Sequence, residues 1–418
     1  MIHRAAPFII VLAISACAAP PPPVVAPLSA PPPPVALPAS TPSASPPATP
    51  APTPEQALTR LFSSAKASEA WFGPAFLAKV PVAKIDAITA SIKAAGGELT
   101  SVSGKGRRFT VMFARAKLQA TLELDDQGRF TTLFVNAPEP LTATVEEAIA
   151  AFRALPGKLS VVITEDGADR AALEPDLPLG AGSSFKLAIL AALRGQIEAR
   201  KRSWKDVVEL DPSRRSLPSG FLQRWPDRAP MTLYSLAALM ISISDNTATD
   251  VLLGVVGRGP TEALAPRNKP LLATGEMFKL KGPGGAEALA AFQKGNEAER
   301  RKVLEALAKK PLPDVEAYPT VPTALDVEWF FSAHELCALM KRVHDLPLMS
   351  INPGTAKKED WDLVAYKGGS EPGVLSMTTW VTKGARQHCV SATWNAPQEL
   401  AEASFHAAYA KALRALEK

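Results

Sequence analysis

Hydrophobic and polar positions recur with two different periods along the chain, and the change from one to the other divides it. From Pro54 to Ala67 and from Val82 to Ala95 the apolar residues return at helical spacing, and the second stretch stops at Gly96-Gly97, a pair suited to end a helix. Four short runs then alternate apolar and polar: Glu98 to Ser103, Arg108 to Phe113, Leu118 to Leu124 and Phe130 to Val135. Turn residues such as Asp126-Gln127-Gly128 separate them. The pattern predicts a small α+β domain over residues 55–139, closing near Pro138-Glu139-Pro140.

A helix from Val145 to Leu155 and a strand from Leu159 to Thr164 open a second domain, over residues 140–418. Its middle, Ser183 to about Met340, carries helical periodicity, whereas Leu363 to Lys367, Val374 to Lys383 and His388 to Trp394 alternate like antiparallel strands. A last helix, Gln398 to Leu416, follows. Strands at both ends of the domain with a helical insert between them predict one sheet and a separate helical lobe, with a cleft between the two as the natural place for a site.

The start of the chain changes the picture of where it works. Met1-Ile-His-Arg4 leads into an apolar stretch, Ala5 to Ile14, too short to span a bilayer as a mature helix, which reads as an export signal over residues 1–17. Ile14-Ser15-Ala16-Cys17 has the form of a lipidation site, with Cys17 as the acylated residue; the plainer alternative is a secretion signal that contains a cysteine. Residues 18–54 follow as a Pro-rich linker: Pro20 to Pro54 holds 16 prolines and no charge, too few donors and too little apolar surface to fold, so it predicts an extended tether in the cell envelope.

Charge and cysteine content narrow the chemistry. The formal net charge is +5, with Lys and Arg scattered rather than clustered, which suits a small anionic substrate or an anionic envelope and gives no basis for nucleic-acid binding. Beyond Cys17 only Cys337 and Cys389 remain, too few for a disulfide framework and both in apolar runs, so they are expected to be buried thiols. No Cys-x-x-Cys or His-x-x-x-His spacing occurs; no metal or other cofactor is expected.

Three short motifs carry the catalytic expectation. Ser183-Ser184-Phe185-Lys186 opens a strong helical pattern, so a serine and a lysine three residues apart share one face where a helix begins. A hydroxyl needs a neighbouring base to become a nucleophile, and a desolvated lysine can be that base. The same spacing in Ser63-Ser64-Ala65-Lys66, inside the first helix of the small domain, reads as a solvated helix face. Ser244-Asp245-Asn246 joins two helical patterns, offering a hydroxyl, an amide and a loop-fixing aspartate, although a polar loop of this kind can also be simple capping. Lys367-Gly368-Gly369-Ser370 lies on a strand, where the lysine supplies positive charge and the glycines let a substrate approach the strand edge.

In this order and on these elements, the motifs resemble those of class A β-lactamases and penicillin-binding proteins, over about Val145 to Lys418. The resemblance implies a five-stranded antiparallel sheet flanked by helices beside an all-helical lobe. It implies Ser183 as the acylated nucleophile, Lys186 as its base, Ser244 as a proton relay and Asn246 as an anchor for substrate and lysine. Lys367 would be the electrostatic partner of the substrate, and Gly369 and Ser370 would line it, with the Ser370 N–H beside that of Ser183 as the oxyanion donors.

Two features depart from the family pattern. The Glu-x-x-x-Asn element that would activate the deacylating water has only Glu276 as a candidate, and the residue four after it is Leu280; its plainer reading is a surface helix charge. Gly368 stands where a hydroxyl residue would hold a substrate carboxylate. The two-domain layout and the phrase Glu276-Met-Phe-Lys-Leu-Lys281 also resemble the β-lactamase-like serine hydrolases associated with clavam biosynthesis. The expected function is a lipid-anchored serine hydrolase acting on a β-lactam, ester or peptidoglycan-like substrate. The alternatives are a D-alanyl-D-alanine carboxypeptidase or transpeptidase, an esterase, and a non-catalytic envelope binding module.

Overall fold

A computed structural model of the chain describes residues 9–12 and 51–417, which divide into two compact units: Ile9–Asn136, and Ala137 onward. Cys17 and all of the tether before residue 51 lie outside the described residues.

The smaller unit starts its first long helix, Pro54–Ser63, with a reciprocal cap: Gln56 N donates to the Thr53 hydroxyl while Thr53 N donates to the Gln56 side chain. Ala57, Leu58, Leu61 and Phe62 form its buried stripe. The helix stops at Ser63 and the chain turns extended at Ser64, so in Ser63-Ser64-Ala65-Lys66 the lysine lies beyond the helix and does not share a helix face with Ser63. A second helix, Val82–Gly96, precedes the strands Leu99–Lys105, Arg108–Phe113, Ala116–Leu124 and Phe130–Asn136, which pair antiparallel in sequence order. The short strand Ile9–Leu12 pairs antiparallel with Phe130–Asn136. Phe62, Phe72, Phe113 and Phe130 are buried among the aliphatic side chains of this core.

The larger unit contains the expected five-stranded antiparallel sheet, in the order Leu363–Glu371, Val374–Lys383, Arg386–Asn395, Lys158–Glu165, Ala168–Leu173. The last of these has a sequence poor in β-branched residues, Ala-Asp-Arg-Ala-Ala-Leu, and alternation does not reveal it. What forms it is the two-residue turn Asp166-Gly167, both with positive φ (52° and 87°), a hairpin geometry that an Asp-Gly pair favours.

On one face of the sheet the helices Val145–Arg153 and Glu402–Ala415 pack through Phe152, Phe405 and Trp394, with the rings of Phe152 and Phe405 edge to face at 5.4 Å. Tyr409 is fully buried there and donates its hydroxyl hydrogen bond toward Thr379 and the Val390 carbonyl. The other face meets the helical lobe, whose helix Lys186–Glu198 is buried on all sides over its first two turns, from Lys186 to Leu193. A helix at the centre of a lobe has no solvent face, which is why its sequence is apolar without a clear stripe.

Cys337 and Cys389 are not free thiols. They form a disulfide between the helix Ala333–Lys341 and the strand Arg386–Asn395, with Cα atoms 6.0 Å apart. Sequence spacing hid the pair because helix and strand come together only when the helical lobe folds back on the sheet. The bridge closes a loop of sequence separation 52, for which loss of chain entropy alone is worth on the order of 4 kcal/mol. Replacing Cys389 with Ala should therefore lower the unfolding free energy by about 2–4 kcal/mol, measured by urea denaturation, and dithiothreitol should destabilise the native chain but not the variant.

Candidate active site

Ser183 lies in a short 3₁₀ turn, Gly182–Phe185, that runs straight into the helix Lys186–Glu198. The expectation of an α-helical start is thus modified: the tighter turn stacks residue i over i+3, which sets Ser183 above Lys186. Ser183 is half-buried, and among the described residues no hydrogen bond engages its hydroxyl. Its neighbour Ser184 is different in kind: wholly buried, with its hydroxyl 3.1 Å from that of Ser376 in the sheet.

Lys186 points into the lobe and is fully buried. Its Nζ lies 2.9 Å from Ser244 Oγ, 2.7 Å from the Ser244 carbonyl oxygen and 2.6 Å from Asn246 Oδ1. The loop that presents these groups is built locally. The helix Leu233–Ser242 ends, Ser244 takes a left-handed φ of 58°, and Asp245 caps the helix Asn246–Val256 by accepting from Ala248 N. The second Asp245 oxygen accepts from Phe221 N and Leu222 N, and Ser219 donates to the Ser244 carbonyl. Asn246 in turn donates to the Leu217 carbonyl. Asp245 thus fixes the loop, as expected, and the segment 216–222 supports it from outside in a way the motifs did not reveal.

Lys367 enters from the sheet. It sits mid-strand in Leu363–Glu371, an edge strand, and is 2 % exposed. Its Nζ is 3.2 Å from the same Ser244 Oγ and also donates to the Gly368 carbonyl. Burial pushes the Lys367 ammonium down to about 7. Lys186 is held well below the ordinary lysine range, first by burial and then by the positive charge of Lys367. One arrangement satisfies every partner: a neutral Lys186 amine donates to the Ser244 carbonyl and to Asn246 Oδ1 and accepts from the Ser244 hydroxyl, which accepts from a charged Lys367.

The same edge strand abuts the serine turn. A Cβ added at Gly369 would fall onto Ala181 O and Ser183 N and within 2.6 Å of Ser184 N, and one added at Gly182 would come 3.1 Å from Ser370 N. Only glycine admits this approach. Ser183, Lys186, Ser244, Asn246, Lys367, Gly369 and Ser370 are thereby brought together where the serine turn, the Ser244 loop and the edge strand meet, with Ser370 exposed.

Glu276 stands apart. It is in the first turn of the helix Thr274–Lys281 and only 17 % exposed, so it is no solvated surface charge. Its carboxylate is taken by Arg258, at 2.8 and 3.2 Å, and by Ala273 N at 2.8 Å. The residue of this segment that reaches the serine–lysine loop is Thr274, whose hydroxyl is 3.2 Å from the Asn246 carbonyl and 2.7 Å from Ser216 Oγ. Asp250 holds it there, accepting from Thr274 N, Thr274 Oγ1 and Gly275 N; burial nevertheless raises the Asp250 carboxyl to about 6. Asn246 and Asp250 are four residues apart on one helix, a spacing that could have marked Asp250 as part of the site.

Comparison with known proteins bears on part of the larger unit. Residues 140–271 match the model of the β-lactamase enzyme family. The match supports a hydrolase of the β-lactamase and penicillin-binding-protein type. Solved structures similar to the chain include a β-lactamase from Sphaerobacter thermophilus, at 23 % identity and a TM-score of 0.42, covering 65 % of this chain and 95 % of that one. The penicillin-binding protein PBP-A is similar at 16 % identity and a TM-score of 0.45, over 65 % and 94 %. A β-lactamase from Xanthomonas campestris is similar at 12 % identity and a TM-score of 0.45, over 66 % and 98 %. No curated protein matches the chain at a significant level.

The low Lys367 value has a consequence for stability. Between about pH 7 and the ordinary lysine value near 10.4, the unfolded chain carries a proton at this position that the folded chain largely lacks, so stability rises with pH across that window. In Lys367→Met this contribution disappears. Urea denaturation between pH 7 and 10 should give a distinctly shallower rise for the variant than for the native chain; equal slopes would show that Lys367 titrates normally.

Proposed function

We propose that this chain is an exported serine hydrolase of the β-lactamase and penicillin-binding-protein type, which forms an acyl-enzyme at Ser183 with a β-lactam or a related amide or ester. The observation that carries this reading is the convergence of Lys186 and Lys367 on the Ser244 hydroxyl, with the turn that holds Ser183 abutting the Lys367 strand at Gly369. A lysine kept neutral by burial is a base matched to a serine proton.

In the proposed step, Ser183 Oγ attacks the substrate carbonyl carbon as its proton passes to the Lys186 amine. The oxyanion is stabilised by the N–H groups of Ser183 and Ser370. The C–N or C–O bond then breaks, and the leaving atom takes its proton through the Ser244 hydroxyl. A charged Lys367 attracts the substrate carboxylate, the role expected of a cation on the strand edge.

Release of the acyl group requires an activated water. The commitment of Glu276 to Arg258 and to Ala273 N supports slow release through that residue, and so favours a long-lived acyl-enzyme of the penicillin-binding kind over rapid β-lactam turnover. A peptidoglycan-like D-alanyl-D-alanine substrate fits that second reading. The Cys337–Cys389 disulfide supports work in an oxidising compartment, in keeping with an export signal, a lipid anchor at Cys17 and a tether holding the enzyme in the envelope.

Ser183→Ala should abolish covalent labelling by a fluorescent penicillin and lower ester turnover by about 10³-fold or more. Ser184→Ala, which alters only a buried hydroxyl pair, should still be labelled. Labelling that survives in Ser183→Ala would refute the site.

A further inference from the structure

Lys186 and Lys367 are buried and, among the described residues, form no ion pair. The negative charges that act on Lys186 are those of two carboxylates, Asp245 and Asp250, which are also buried and also outside any ion pair there. Asp245 is accounted for by the loop it fixes. Asp250 lies one turn after Asn246 on the helix Asn246–Val256, so the two side chains are neighbours on one face, with Cβ atoms about 5–6 Å apart. Asn246 Oδ1 is 2.6 Å from Lys186 Nζ. Thr274 makes a second link: its hydroxyl is 2.8 Å from Asp250 Oδ1 and 3.2 Å from the Asn246 carbonyl oxygen.

Local hydrogen bonding calls for a carboxylate at this position. Asp250 Oδ1 accepts from Thr274 N and Thr274 Oγ1, and Oδ2 accepts from Gly275 N, at the start of the helix Thr274–Lys281. An amide would turn its own N–H groups against one of these donors. A negative charge comes with that choice. The other charged groups facing Asp250 are Glu276 and Lys279 on the helix it caps, and Arg214, whose Nη1 is 3.5 Å from the Asp250 backbone carbonyl oxygen. Glu276 is paired with Arg258, and Lys279 donates to the Leu307 carbonyl. With no cation in contact with its carboxylate and little water around it, the Asp250 charge acts on the lysine pocket with weak screening.

We propose that Asp250 is the positioning residue that sets the base strength of Lys186. Its charge raises the affinity of the Lys186 amine for the serine proton and offsets part of what burial and the Lys367 charge remove. The proton moves from Ser183 Oγ to Lys186 Nζ, and Asp250 takes none. This rests on the acyl-transfer reading of the site and names the residue that makes its base strong enough.

The test reads the Lys186 amine itself, by carbon-13 NMR of the full chain labelled at lysine Cε, with Lys186→Met assigning the signal. Asp250→Asn should lower the titration midpoint of Lys186 by about one pH unit. Thr274→Val, which breaks the hydroxyl link and keeps the charge, should leave the midpoint in place. An unmoved midpoint in Asp250→Asn, or an equal shift in Thr274→Val, overturns the proposal. If Asp250→Asn does not fold, the coupling is read from the other side, since it is reciprocal. With aspartate carboxyls labelled, Lys186→Met should raise the Asp250 midpoint, about 6 in the native chain, by a similar amount, and no rise overturns the proposal. Acylation by benzylpenicillin is followed separately by mass. If it fails while the midpoints shift as stated, the role of Asp250 stands and the acyl-transfer reading falls; if it occurs with unmoved midpoints, that reading stands and this one falls.

Discussion

Lys186 and Lys367 place their amine nitrogens 2.9 and 3.2 Å from a single oxygen, Ser244 Oγ, and both side chains are almost completely withdrawn from water. Their nitrogens are then no more than about 6 Å apart, a distance at which two unit charges repel by about 3 kcal/mol even with substantial screening. Burial adds to the penalty, and both lysines are pushed toward the neutral form. Among the described residues this hydroxyl is the one group hydrogen-bonded to both amines, so it links their protonation states. A charge on either amine favours the neutral form of the other, so this one contact suits a site that needs one lysine neutral and the other charged.

Much of the surrounding architecture serves to hold that oxygen in place. Ser244 adopts a left-handed backbone that costs energy for a residue with a side chain. The cost is met by Asp245, which spends both carboxylate oxygens on three backbone N–H groups, two of them in the 216–222 segment. Lys186 arrives on the most buried helix of the lobe and Lys367 on an edge strand of the sheet, so the contact exists only when lobe and sheet are packed together. The disulfide between Ala333–Lys341 and Arg386–Asn395 reinforces the same junction.

The sheet, the lobe and the convergence of the three motifs were legible in the sequence because each rests on a strong local signal: alternation in Val374–Lys383, apolar periodicity around Lys186, and polar residues at the junction of two helices. What was not legible depended on long-range packing. The Cys337–Cys389 bond joins elements whose approach no local pattern encodes, and the strand Ala168–Leu173 is set by its turn and its partner rather than by its own side chains. The place of Glu276 was also hidden, since its spacing from Asn246 gives no sign that Arg258 and a helix start would claim its carboxylate. Thr274 and Asp250, which do meet the site, carry no motif.

The central claim, that the lysine-flanked hydroxyl activates Ser183 as an acyl acceptor, is tested most directly by intact mass spectrometry of the soluble chain lacking its first 19 residues, mixed with benzylpenicillin and followed from minutes to hours. The account predicts a single penicilloyl adduct that maps to the peptide containing Ser183 and persists after free drug is removed. An adduct on any other residue, or none at all, would contradict it.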